Sequence, residues 1–176
     1  FGLIGMVEWQ DNLITFGKRQ AFIINDTDAS TANWGYENAA WNGGAASHRL
    51  ICKTDNDVLV MSVDGDIYSI TAVLEAGDYK AASVARPAFI DKWIRDNIDM
   101  TQIAKFHSIY DPRMRAVKFF MVGNGASQVN ICLPFFIDKP ALEAWGAPHN
   151  NVGNNSGYSA SCSALVKKSV GIYKVY

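Results

Sequence analysis

Residues 57–70 read Asp57-Val58-Leu59-Val60-Met61-Ser62-Val63-Asp64-Gly65-Asp66-Ile67-Tyr68-Ser69-Ile70. Two apolar, β-branched runs flank Asp64-Gly65, a pair suited to the positive φ of a two-residue primed hairpin turn. The stretch predicts an antiparallel hairpin with strands over 58–63 and 67–74. Its aspartates pose a choice between metal or acid-base chemistry and turn building. A calcium loop alternates its carboxylates and closes on a bidentate Glu; here Asp55-Asn56-Asp57 passes straight into Val58-Leu59-Val60. The segment fits better as turn chemistry, with Asx side chains binding nearby backbone amides.

The hairpin has a counterpart. Asn12-Leu13-Ile14-Thr15-Phe16 followed by Ala21-Phe22-Ile23-Ile24 matches it at a constant offset of 45 positions. Ser163-Ala164-Leu165-Val166 with Gly171-Ile172-Tyr173 echoes the same unit, and residues 111–120 followed by 130–136 read as a variant with a longer tip. Strands are expected over 3–9, 12–16, 21–25, 49–53, 58–63, 67–74, 105–110, 116–122, 130–137, 164–168 and 172–176, separated by Gly, Asn, Asp and Pro clusters. Over 86–98, Phe89, Ile90, Trp93, Ile94 and Ile98 recur at helical intervals behind Pro87, so one short helix is expected there. Segments 26–46 and 146–160 read as long loops. Strands about ten residues apart indicate an antiparallel all-β fold, and a period of about 40 to 50 residues indicates a propeller. The expected fold class is all-β: an antiparallel β-propeller-like, partial set of blades with one short inserted helix, a β-sandwich being the alternative. Residues 1–176 are expected to form a single β domain. Because the sequence opens on Phe1-Gly2 and ends inside a strand-like run, that domain is expected to be a fragment of a larger propeller chain.

Composition narrows the function classes. Of 176 residues, 49% are apolar and 12% aromatic, while charged residues make up 19%, below the roughly 25% of an average soluble domain. A formal net charge of -1 provides no basic field to draw in a phosphate backbone. No apolar run approaches the ~18 residues of a membrane helix, so no membrane segment is expected. Cys52, Cys132 and Cys162 are odd in number and far apart, which reads as buried free thiols in a reducing compartment.

Catalytic signals are sparse. His48, His107 and His149 are scattered, no HExxH or CxxC spacing occurs, and Gly123-Asn124-Gly125 lacks the strand-to-helix setting of a dinucleotide loop. Two facing carboxylates about 5 to 9 Å apart would suffice for glycoside hydrolysis, a juxtaposition that spacing leaves open. The expectation is no enzyme, with no catalytic, cofactor-binding or metal residues and no cofactor. Trp9, Trp34, Trp41, Trp93 and Trp145 divide between packing or interface roles and ligand stacking. Trp34, Tyr36 and Trp41 lie together in one loop and are the candidate interface or ligand aromatics.

The run from Ile90-Asp91-Lys92-Trp93-Ile94-Arg95-Asp96-Asn97-Ile98 through Ala104–Val122 resembles the β-propeller region of tailed-bacteriophage tail and connector proteins. In that family a helical bridge leads to a strand, a Tyr-Asp-Pro turn, here Tyr110-Asp111-Pro112, and a strand like Val117-Lys118-Phe119-Phe120-Met121-Val122. A strand such as Asn130-Ile131-Cys132-Leu133-Pro134-Phe135-Phe136 then leads to an aromatic turn, here Ala144-Trp145. Val7-Glu8-Trp9-Gln10-Asp11-Asn12 is similar to the family's opening, and Asp64-Gly65-Asp66-Ile67-Tyr68 to its turn-Gly-x-Ile-Tyr strand. The likeness spans most of 3–145; Pro134, which suggests a strand edge or bulge, and the loop 146–160 depart from it. The resemblance implies a structural virion protein, a tail or head-to-tail connector component in a symmetric assembly around the DNA channel. Its implied partners are other virion tail and connector proteins and copies of itself, with non-specific DNA contact open. Its implied location is the virion, assembled in the host cytoplasm. The alternative function is a carbohydrate-binding or glycan-cleaving propeller that recognises a host receptor.

Overall fold

The computed structural model of the chain describes residues 2–25, 30–38, 43–150, 162–169 and 172–175. The chain divides into two compact units, Phe1–Ser83 and Val84–Tyr176. Both are built mainly of antiparallel sheet, as the all-β expectation required.

The first unit opens with strands β1 (Gly5–Trp9), β2 (Asn12–Phe16), β3 (Ala21–Asn25) and β4 (Gly35–Asn38) in the sheet order β1-β2-β3-β4. A second meander follows, β5 (Ile51–Lys53), β6 (Val58–Met61) and β7 (Ile67–Ser69), ordered β5-β6-β7. The 45-residue offset read from two hairpins extends to both flanks. β1 corresponds to β5, and β4 corresponds to an isolated antiparallel bridge between Tyr68 and Ser83. Equivalent positions also meet: Lys53 Nζ donates to Glu8 Oε2 at 3.1 Å across 45 residues, and Arg19 faces Asp64, again 45 positions on, at 4.0 Å. β1 and β5 pack side by side. Ile14, Phe16 and Ala21 of the first meander share one buried cluster with Val58, Val60 and Tyr68 of the second. Burying a valine-, isoleucine- or phenylalanine-sized side chain contributes about 1.5–3 kcal/mol.

The hairpin of residues 57–70 differs from its expectation in two places. First, the turn holds three residues, not two. Ser62 N–H donates to the Asp66 carbonyl at 2.8 Å and Gly65 N–H to the Ser62 carbonyl at 3.1 Å, with φ of 78° at Gly65. Asp64 stays at negative φ, and only Gly65 needs the left-handed region. Second, the strand expected over 67–74 ends at Ser69, and Ile70–Ala76 form helix α1. Ser69 caps it by accepting the Ala72 amide at 3.0 Å, Asp57 accepts the Thr71 amide at 3.1 Å, and Gly77 at φ 70° closes it. Ile70 and Val73, three apart, bury one face.

The second unit carries two further corrections. The helix expected over 86–98 is a 3-10 turn, Arg86–Ala88, followed by α2 (Ile90–Asn97), the two broken at Phe89, which holds φ 56°. With α1, the described residues thus hold two α-helices, one more than expected. Strands β8 (His107–Asp111), β9 (Ala116–Met121), β10 (Ile131–Phe136) and β11 (His149–Asn150) form a sheet in the order β11-β10-β9-β8. Pro134 sits inside β10 opposite Lys118, and its carbonyl accepts the Gly146 amide at 2.9 Å. In extended chain a residue's N–H and C=O point the same way, so the missing proline N–H is turned from β9 toward the segment around Gly146 that precedes β11. β12 (Leu165–Ser169) and β13 (Ile172–Val175) make a separate hairpin packed on β8.

Candidate functional site

Of the candidate aromatics, Trp34 immediately precedes β4, an edge strand, Tyr36 lies in it, and Trp41 lies outside the described residues. Trp34 ends the 3-10 turn Thr31–Asn33 in an extended conformation, which starts the strand. Tyr36 pairs with Ile24 on β3, and its ring meets Phe22 edge-on at 5.9 Å. Tyr36 is 75% exposed and Trp34 45%. An exposed aromatic pair at a sheet edge offers rigid apolar area to a partner.

The other tryptophans do different work. Trp9 is in the core of the first unit. Trp145 donates to the Val84 carbonyl at 2.8 Å and packs on Phe135 and Phe119 at 4.8 and 6.2 Å. Trp93 is half-buried on α2.

The aspartates of the opening stretch serve three local purposes. Asp57 caps α1 and also accepts the Val58 amide at 2.7 Å. Asp64 stands at the turn tip, over half exposed. Asp66 is buried, accepting the Ile67 amide at 2.9 Å and the Ser83 hydroxyl at 2.5 Å, which fastens the Tyr68–Ser83 bridge. Sequence reasoning grouped the three as turn residues and missed that Asp66 is a core group; its position between Gly65 and Ile67 gave no sign of Ser83.

In the second unit His107 is buried, stacked on Phe120 at 4.7 Å, with Nε2 3.0 Å from Ser163 Oγ and Nδ1 3.5 Å from the Lys105 carbonyl. This contact ties the segment leading into β12 to β8. Asp111 closes the Tyr-Asp-Pro turn, accepting the amides of Arg113 and Met114 and the Lys118 ammonium at 2.8 Å. Burial raises the Asp111 carboxyl, but Lys118 and those amides outweigh it and hold it below the usual carboxylate range. Two thiols are buried as expected, Cys52 and Cys132; Cys162 is exposed, which corrects the third. Burial pushes the Cys132 thiol up to about 11, against a downward pull from Lys118. No helix among the described residues is long and apolar enough to cross a membrane.

No protein-family model matches the chain, and no curated protein matches it by sequence.

Proposed function

We propose that the chain is a structural virion protein of a tailed bacteriophage, a tail or head-to-tail connector component whose meanders are propeller blades in a symmetric assembly around the DNA channel. The observation that carries this reading is the 45-residue repeat, in which equivalent residues of consecutive meanders touch, Glu8 with Lys53 and Arg19 with Asp64. Sheets related by one repeated rotation bring equivalent positions together, as a propeller does from blade to blade. The segment 90–122, with its helical bridge and Tyr-Asp-Pro hairpin, supports the virion assignment through the resemblance described above. Trp34 and Tyr36, on the exposed edge of β4, are assigned to contacts with neighbouring subunits or virion proteins. Analytical ultracentrifugation of the protein at micromolar concentration tests it. A closed oligomer that shifts toward monomer in a Trp34→Ala/Tyr36→Ala variant is expected, and a sharp monomer that captures no virion protein overturns it. The exposed edge aromatics also favour a second reading, a glycan-binding propeller; glycan binding abolished by the same double variant, with the oligomer intact, would select it.

A further inference from the structure

We propose that the first unit holds a binding cleft for a neutral saccharide, separate from the assembly role and from the β4 edge. The cleft, about 660 Å³, opens between the β2-β3 turn and the β6-β7 turn, which are equivalent in the 45-residue repeat, with the segment after α1 as its third wall. That volume lies within the range of about 300–1,000 Å³ typical of small-molecule sites. Gly43 and Gly44 line it and are buried, so main chain forms that part of the wall. A Cβ on Gly44 would lie 2.3 Å from the Gly17 carbonyl oxygen, so this close approach admits no larger residue.

The lining chooses the ligand class. Lys18, Arg19 and Lys80 contribute cations, Asp64 and Asp78 carboxylates, and Arg19 already faces Asp64 at 4.0 Å. A phosphate site gathers donors and positive charge; two carboxylates among three cations leave the field nearly balanced. An apolar ligand finds few partners there. A polyol suits it, because each hydroxyl both donates and accepts, and carboxylate, ammonium and guanidinium groups stand on the same rim. Tyr79, half-buried and set edge-on to Tyr68 at 5.6 Å, also lines the cleft and is fixed there by its packing on the core.

Saturation-transfer NMR on the whole chain tests this with the methyl glycosides of glucose, galactose, mannose and N-acetylglucosamine, alongside a titration with inorganic phosphate. Asp78→Ala, Arg19→Ala and Lys80→Ala change exposed side chains, and circular dichroism verifies their folds. At least one glycoside is expected to bind, at least tenfold more weakly in the Asp78→Ala and Arg19→Ala variants and unchanged in Trp34→Ala. No transfer to any glycoside, transfer indifferent to all three cleft variants, transfer lost with Trp34→Ala, or phosphate binding in place of sugar would each overturn the proposal. Failure here leaves the oligomer measurement above untouched, so the two readings are tested apart.

Discussion

Three aspartates within ten residues of one hairpin carry three different energies, because their surroundings differ more than their sequence does. Asp66→Ala leaves the Ile67 amide and Ser83 hydroxyl without the carboxylate they donate to, and is expected to cost about 2–3 kcal/mol in urea unfolding. Asp57→Ala removes one of the two caps of α1 and is expected to cost about 1 kcal/mol. Asp64→Ala, at an exposed tip, is expected to stay within about 0.5 kcal/mol. Equal losses at all three positions would contradict the assigned roles. That the aspartates build turns was legible from their neighbours; that Asp57 caps a helix and that Asp66 is buried were not, since 67–74 read as strand and Ser83 reaches Asp66 only after α1 turns the chain back. Asp111 adds a pH dependence of known sign. Its folded carboxyl binds a proton less readily than the unfolded one, so its contribution is present above the ordinary carboxylate range near roughly pH 4 and is lost as pH falls through the lower folded value. Wild type is expected to lose more stability than Asp111→Asn between pH 5 and pH 2, and parallel profiles would refute the Lys118 pairing. The thiols divide by burial: in the native protein iodoacetamide is expected to modify Cys162 alone, with Cys52 and Cys132 reacting on unfolding.

Elements read correctly where their own residues decide the structure and failed where a neighbour does. The fully buried β6, Val58-Leu59-Val60-Met61, and β2, β3 and β9 were plain in their apolar, β-branched runs. β4, Gly-Tyr-Glu-Asn, was hidden in a supposed loop because its strand state comes from pairing with the open edge of β3, and β11 was hidden for the same reason beside β10. α1 was mistaken for strand because Ile70, Val73 and Leu74 continued the apolar run. The overlooked signal was the cap at Ser69, the Ala-Leu-Glu-Ala composition and Gly77. Trp34 and Tyr36 stood out in the sequence as neighbouring aromatics, but their exposure beside an edge strand did not, since it follows from β4. The turn between β1 and β2 falls where the strands expected over 3–9 and 12–16 put it, and Gln10 and Asp11 hold φ of 49° and 59° there, the pattern of a primed turn without its usual Asn-Gly. Replacing Gln10-Asp11 by Asn-Gly relieves two left-handed side chains and is expected to raise stability by about 1–2 kcal/mol, read as a rise in Tm. An unchanged or lowered Tm would mean that these side chains supply contacts worth as much as the strain.

At the scale of the whole molecule, two meanders of the first unit repeat at a 45-residue offset. Glu8 and Lys53 are too exposed for their pairing to contribute more than about 0.5 kcal/mol, so the pair serves as a marker of geometry rather than a source of stability. Few charges, edge aromatics and antiparallel meanders at a regular offset fit a chain whose work is done by stacking sheets and presenting edges, and the proposed virion role requires that stacking to close. Cryo-electron microscopy of the purified protein tests this most directly. The expected result is a symmetric ring of subunits around a channel, each with its meanders arranged as radial blades about a local axis. A dispersed monomer whose sheets pack as a two-layer sandwich would contradict it.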